Sequence, residues 1–347
     1  MATKASITSA LNCSYKSITM KTIGIFPASG GLGTSTYTHL LNLVPYNNVI
    51  LISRNPDKIP KKYTQGLPES GVRTREASYE TAPSDLEKVF TGIDVLFLIS
   101  YPSHVKDYRI KVQLPAIDAA RRAGVKHIFY SSLAFAGDRD STTSVAEVMQ
   151  AHLATEAHLR HLAETTPGFT YTVIREGIYS ESTPIYTSFL DPRFPDASTI
   201  NGGEIWIPHD GKGKGVAWVK RDELGEASAK LMAQYASATE EFKYVNQVVL
   251  LTGNKEWSLE DTIKVLAEVA GKELKIRKIS VDEWVQLPQV KGYFSNEEDA
   301  RTWTTAWEAI RQGATATVTE DLEEILGRRP EEFDVTLKAG TRATTEQ

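Results

Sequence analysis

Short apolar runs alternate with longer stretches of helical spacing through the first half of the chain. Ile23–Phe26, Val49–Ile52, Asp94–Ser100, Lys126–Tyr130 and Thr170–Ile174 are brief and mostly apolar, which predicts strands. The 94–100 run, DVLFLIS, is almost unbroken, as expected of a parallel strand covered on both faces. Between the runs, apolar residues recur at helical spacing from about Leu32, over Pro83–Phe90, over Tyr108–Ala123 and over Ser144–Ala163. Pro83 suits a first helical turn, and Gly124 suits a stop. Gly71–Arg75 predicts one further short strand. This order predicts an α/β fold built on a doubly wound, mostly parallel sheet.

After Arg175 the pattern loosens, and Pro184, Pro192, Pro195, Gly202 and Gly203 break it into loops. WIPHDG (206–211) and GVAWV (215–219) read as strands joined by GKGKG, a lysine-glycine turn without phosphate-loop spacing. Helices are predicted at Asp222–Gln234, Ser258–Ala270, Asn296–Arg311 and Glu320–Leu326, with strands at Gln247–Leu251 and Leu274–Lys278. The expected division is an N-terminal extension (1–20), a nucleotide-binding domain (21–178) and a smaller C-terminal α/β substrate domain (179–340) from which some segments return to the first core. Five of the six Trp fall between Trp218 and Trp307, suiting core packing or a flat substrate wall.

Composition narrows the function classes. The chain has 347 residues, 41% hydrophobic and 24% charged, with a net charge of -5. That balance suits a globular protein with a sizeable core and argues against nucleic acid or an anionic membrane as partner. No apolar run reaches the roughly twenty residues of a membrane span. A single cysteine, Cys13, excludes an intrachain disulfide and a cysteine-rich metal site. Residues 1–20 have neither the apolar core of a secretory signal nor any arginine, so the expected location is cytoplasmic.

Candidate chemistry begins at Lys21–Arg54, where strand, glycine turn, helix and strand make a βαβ unit. In the turn, Ser29, Gly30, Gly31, Leu32 and Gly33 are candidate contacts for a dinucleotide. Gly30 lets the backbone approach a pyrophosphate and Gly33 lets the helix pack close to the sheet, whereas Pro27 replaces the first glycine of the usual fingerprint. An ordinary glycine-rich turn fits the same residues. The second strand ends in Ser53 and Arg54, not in the carboxylate that accepts hydrogen bonds from an NAD ribose. A hydroxyl and a cation suit a 2′-phosphate, so NADP(H) is the expected cofactor, with Lys58 as a possible helper. Ser100, Tyr101 and Pro102 follow the fourth strand, at the edge of the sheet where ligands bind.

Several fragments in order resemble the NmrA-like branch of atypical short-chain dehydrogenases: PASGGLG, SRNPDK, FLISYPS, HIFYSSLAFAGD, AHLATEAHLR, YTVIREGIYSES, VAWVKRDELGEASAKLM and the C-terminal WTTAWEAIRQGATATVTEDLEEILGRRPEEF. The resemblance implies a Rossmann domain with a small C-terminal substrate domain. It also implies an NADPH-dependent reductase of an unsaturated, quinone-like or iminium-type small molecule, with a place in specialised-metabolite or alkaloid biosynthesis. The same family accommodates two alternatives: an NADP(H)-sensing regulator with a protein partner and no turnover, and a ring-forming biosynthetic enzyme of the Pictet-Spengler type.

Relatives in the wider dehydrogenase class carry Tyr and Lys four residues apart on one helix, and here His152 and Glu156 occupy that spacing. An i,i+4 pair shares one helix face, so the carboxylate is expected to hold His152 as an imidazolium general acid. A plain His–Glu hydrogen bond fits the spacing equally, and no third ligand suggests a metal. By resemblance, Ser131 or Ser132 orients ligand after the fifth strand: Ser131 is placed with the cofactor contacts and Ser132 with the catalytic ones. Glu176 and Tyr179 edge the nicotinamide pocket, where Glu176 is expected to stabilise a cationic substrate or pair with Arg175, and Tyr179 to donate a proton or form a wall.

Overall fold

The computed structural model describes residues 20–64, 71–192 and 202–345. Residues 1–19 with Cys13, and the Pro195 loop, lie outside the described residues.

The apolar runs become strands β1 (Ile23–Phe26), β2 (Val49–Ser53), β4 (Val95–Ile99), β5 (His127–Leu133) and β6 (Thr170–Glu176); β3 is Arg73–Glu76. Strand β8 (Gln247–Leu251), from the second half of the chain, joins them in one parallel sheet ordered β3-β2-β1-β4-β5-β6-β8. Strands β1 and β2 are buried along their whole length, which is why both read as unbroken apolar runs. Strand β3, with the sequence RTRE, lies at the sheet edge and is mostly exposed, a charged edge that discourages pairing with another chain.

Helices close both faces. Gly31–Leu40 and Arg221–Ser237 pack on one side around Leu32, Leu40, Leu224 and Met232. Pro83–Phe90, Lys106–Arg122 and Glu147–Thr165 cover the other around Phe90, Ile117 and Leu159. After β3 the chain crosses β1 to enter β4, so the order reverses between β1 and β4. A crevice opens outside the carboxyl ends of the strands at such a reversal.

The remaining C-terminal elements gather a separate core around Trp218, Trp284, Trp303 and Trp307, beside a two-stranded sheet of β7 (Glu204–Ile207) and β9 (Lys275–Lys278). Two sequence expectations change here. GVAWV forms no strand: Val216 and Val219 make only isolated bridges to Trp257 and Tyr179, because the segment threads between the two cores. The single helix expected over Asn296–Arg311 is two, Glu297–Trp303 and Thr305–Arg311, which turns Trp303 and Trp307 into the same core. Among the described residues, five short or terminal helices were not legible as apolar repeats: Lys61–Thr64, Thr183–Tyr186, Val281–Val285, Pro288–Tyr293 and Phe333–Thr345. Val281–Val285 does carry a readable start, a capping box between Ser280 and Glu283.

Candidate active site

The glycine turn lies between β1 and the helix Gly31–Leu40. Gly30 caps that helix with φ 109°, a conformation that favours glycine, and open space surrounds the position a Cβ would take. No side chain caps the helix, so its first N–H groups remain available to an anion. Gly33 has no such room: a Cβ there would stand 2.6 Å from the Ala28 carbonyl oxygen. Gly33→Ala is therefore expected to push the helix off the turn and weaken dinucleotide binding by about tenfold or more, a loss of about 1.4 kcal/mol. Titration of cofactor into the variant checks this, and unchanged affinity contradicts it.

Ser29, Gly30 and Gly31 are exposed at the turn while Leu32 is buried beneath it. Above Gly31 lies Arg221, whose guanidinium carbon would be 2.6 Å from a Cβ at that glycine. Arg221 was not singled out from the sequence, since it follows an irregular segment and reaches the turn only through the packing of its helix on Gly31–Leu40. Ser53 is buried at the end of β2 and its hydroxyl accepts from the Asn55 amide at 3.2 Å. Arg54 and Lys58 are exposed beyond it, on the side where the adenosine half of a dinucleotide extends in folds of this kind.

Farther along the sheet edge, the ends of β4, β5 and β6 surround a cavity of about 310 Å³. Ser100, Tyr101 and Pro102 contribute from β4, Ser131 and Ser132 from β5, Glu176 and Tyr179 from β6, and His152 from the helix Glu147–Thr165. Tyr186, Tyr293 and Trp303 supply an aromatic wall from the C-terminal half.

The expected contact between His152 and Glu156 is not made. His152 is buried, its Nε2 2.6 Å from Arg109 Nη2 and its Nδ1 3.0 Å from the Tyr130 hydroxyl. A guanidinium only donates, so Nε2 accepts and Nδ1 carries the proton. Burial, then the Arg109 and Arg175 charges, hold the imidazole well below its usual pKa. His152 is thus neutral near pH 7, which corrects the expectation of an imidazolium acid. Glu156 faces elsewhere, in a buried ion pair with Arg175, Oε2 to Nη2 at 2.7 Å, and it also accepts from the Ser132 hydroxyl at 2.6 Å. Arg175 further donates to the Asp138 and Ser141 carbonyls, pinning the 138–141 loop. Arg175 therefore pairs with Glu156 and not with its neighbour Glu176, because successive residues of a strand point to opposite faces.

Glu176 instead receives the Tyr179 hydroxyl on Oε2, while Oε1 is buried without a partner. Burial pushes the carboxyl up to about 7, and the nearby Tyr179 and Ser131 hydroxyls offset only part of that rise. Burial, followed by the Glu176 charge, drives the Tyr179 phenol well above its usual range, so it stays protonated. With Tyr179 donating to Oε2, the proton of a neutral Glu176 resides on Oε1. The cavity lining therefore includes a carboxyl whose pKa burial raises to about 7 and whose Oε1 has no hydrogen-bond partner, properties that suit proton donation.

The chain matches the NmrA-like family over residues 19–301. It is 30% identical over 307 residues to the NmrA-like family domain-containing oxidoreductase flvB of Aspergillus flavus, covering 87% of this chain and 89% of that protein. It is also 30% identical over 258 residues to quinone oxidoreductase 2 of Escherichia coli, covering 74% and 78% of the two chains. Among solved structures, the triphenylmethane reductase of Citrobacter sp. complexed with NADP(H) superposes with a TM-score of 0.70 at 27% identity, over 92% of this chain and 99% of that one. This protein belongs to the NmrA-like family.

Proposed function

We propose that this protein is an NADP(H)-dependent reductase of an unsaturated, quinone-like or iminium-type small molecule. The observation that carries the reading is the Glu176 carboxyl, titrating near neutrality with a free Oε1 at a cavity on the same sheet edge as the glycine turn. The relatives support it, being a quinone oxidoreductase and a reductase bound to NADP(H). When bound, the cofactor supplies a hydride.

The chain's own residues would do the rest. The uncapped helix N-terminus and Arg221 would hold the pyrophosphate, with Gly30 letting the backbone come close. Arg54 would pair with the 2′-phosphate through charge-assisted hydrogen bonds. Glu176 would deliver a proton from Oε1 to the oxygen of a reduced quinone or to the oxygen or carbon of a reduced enone, with Tyr179 fixing the carboxyl's orientation, whereas hydride alone completes the reduction of an iminium. The aromatic wall would exclude water and stack an unsaturated ring.

Titrating the full chain with NADPH and NADH, and following NADPH absorbance across quinone, enone and iminium panels, tests this reading. NADPH is expected to bind more tightly than NADH and to be consumed with at least one panel. Arg54→Glu is expected to weaken NADPH binding by about tenfold or more, since hydrogen bonds to charged groups contribute about 1.5–3 kcal/mol. Equal affinity for both cofactors contradicts the role of Arg54, and absence of turnover contradicts the reductase.

A further inference from the structure

Arg109 is a buried cation with no counter-charge among the described residues. It is 2% exposed, on the helix Lys106–Arg122, and lines the 310 Å³ cavity. Its guanidinium has five N–H donors. One on Nη1 reaches the Val148 carbonyl at 2.9 Å, and Nη2 reaches the Ser100 hydroxyl at 3.0 Å and His152 Nε2 at 2.6 Å. All three acceptors are neutral, since His152 is held unprotonated. Nε is buried without a partner. The phenols that face Arg109, Tyr79 and Tyr130, have their pKa values raised by burial and stay neutral as well.

A buried charge left unpaired is costly, and natural folds pair it. This fold does so elsewhere: Arg175, equally buried, has Glu156 against it. Arg109 has only neutral acceptors among the described residues, in the lining of a cavity. A second unpartnered donor belongs to the same lining. Trp303 lines the same cavity, its Nε1 is buried without a partner, and its ring lies 5.0 Å from that of His104, which also feels the Arg109 charge. An indole N–H only donates. Arg109 and Trp303 both line the cavity and each holds a buried N–H without a partner, and Glu176 lines it at the end of β6. Glu176 ends β6 and Ser100 follows β4, with β5 between them, so roughly 10 Å separates their backbones.

We propose that the cavity takes an unsaturated carboxylic acid, its carboxylate docked on Arg109 and Trp303 and its reacting end toward Glu176. This rests on the reductase reading for the reaction, but the carboxylate site is defined by Arg109 alone. A permanent anion satisfies Arg109 before any reaction begins, whereas a cationic iminium without a carboxylate is repelled. The roughly 10 Å span suits an acid whose reacting group lies far from its carboxylate, and cinnamate, with its ring against Tyr186 and Tyr293, serves as a binding probe of the carboxylate site alone.

Calorimetric titration of the full chain with cinnamate and with cinnamamide, its neutral counterpart, tests the proposal. Cinnamate is expected to bind at least about tenfold more tightly. Arg109→Met is expected to abolish the preference and Arg109→Lys to restore part of it, with circular dichroism reporting whether each variant folds. Should Arg109→Met fail to fold, the wild-type comparison decides alone. Equal binding of the two probes, tighter binding of the amide, or binding of neither overturns the proposal. Parallel NADPH titration and turnover separate the two readings: tight NADPH binding and turnover without acid preference removes only the carboxylate site. Acid preference without NADPH binding removes only the reductase.

Discussion

Replacing Glu176 with glutamine is expected to lower kcat by about 10²–10⁴-fold, the usual contribution of a positioned general acid. Glutamine keeps the shape and still accepts from Tyr179, but it has no proton to give at the position of Oε1. The loss falls on an interaction made only in the transition state, so kcat and kcat/KM drop together. The pH profile carries a sign. Burial raises the Glu176 pKa to about 7 from 4.5, so the protonated donor prevails below about 7 and is lost above it. The wild-type rate is therefore expected to fall as pH rises through about 7, and Glu176→Gln to lose that limb. Tyr179→Phe removes a hydrogen bond that lowers the carboxyl pKa, so it is expected to move the limb to higher pH. A Glu176→Gln enzyme within a few-fold of wild type, with the limb intact, contradicts the role of Glu176.

Arg175→Met is expected to produce the largest stability loss. It leaves Glu156 as an unpaired charge at 3% exposure, retaining only the Ser132 hydroxyl, and frees the Asp138 and Ser141 carbonyls. Removing one partner of such a buried pair costs about 3–5 kcal/mol. Replacing both, Arg175→Met with Glu156→Leu, is expected to recover much of that loss, because the isolated charge is the main penalty. Urea unfolding of wild type, Arg175→Met, Glu156→Leu and the double variant measures the coupling. A single-variant loss below about 1 kcal/mol, typical of an exposed pair, contradicts the account of the pair.

The sheet was legible because β1, β2, β4, β5 and β6 are covered on both faces and so write themselves as apolar runs. The glycine turn was legible for a related reason: the close approach at Gly33 and the positive φ of Gly30 each demand a residue type that shows in the sequence. Partnership among polar side chains was not legible. Helical spacing places His152 and Glu156 on one face, yet the choice of partner was made by other elements, Arg109 from one helix and Arg175 from β6. The same holds for Arg109, Arg221 and Trp303, which meet the site through packing between segments far apart in the chain. Glu176 and Tyr179 were placed near the pocket by their position just beyond the apolar run 170–174, but the raised carboxyl pKa depends on burial that no local pattern records.

The most direct measurement supplies the protein with NADPH carrying deuterium at the transferable position and analyses the product of an enone or unsaturated-acid substrate by mass, because the new C–D bond persists in water whereas a hydroquinone O–D exchanges. Incorporation of one deuterium per turnover is the expected result. NADPH that binds without being consumed, or a product formed by loss of water with no deuterium gained, contradicts a reductase and leaves a sensor or a ring-forming enzyme on this fold.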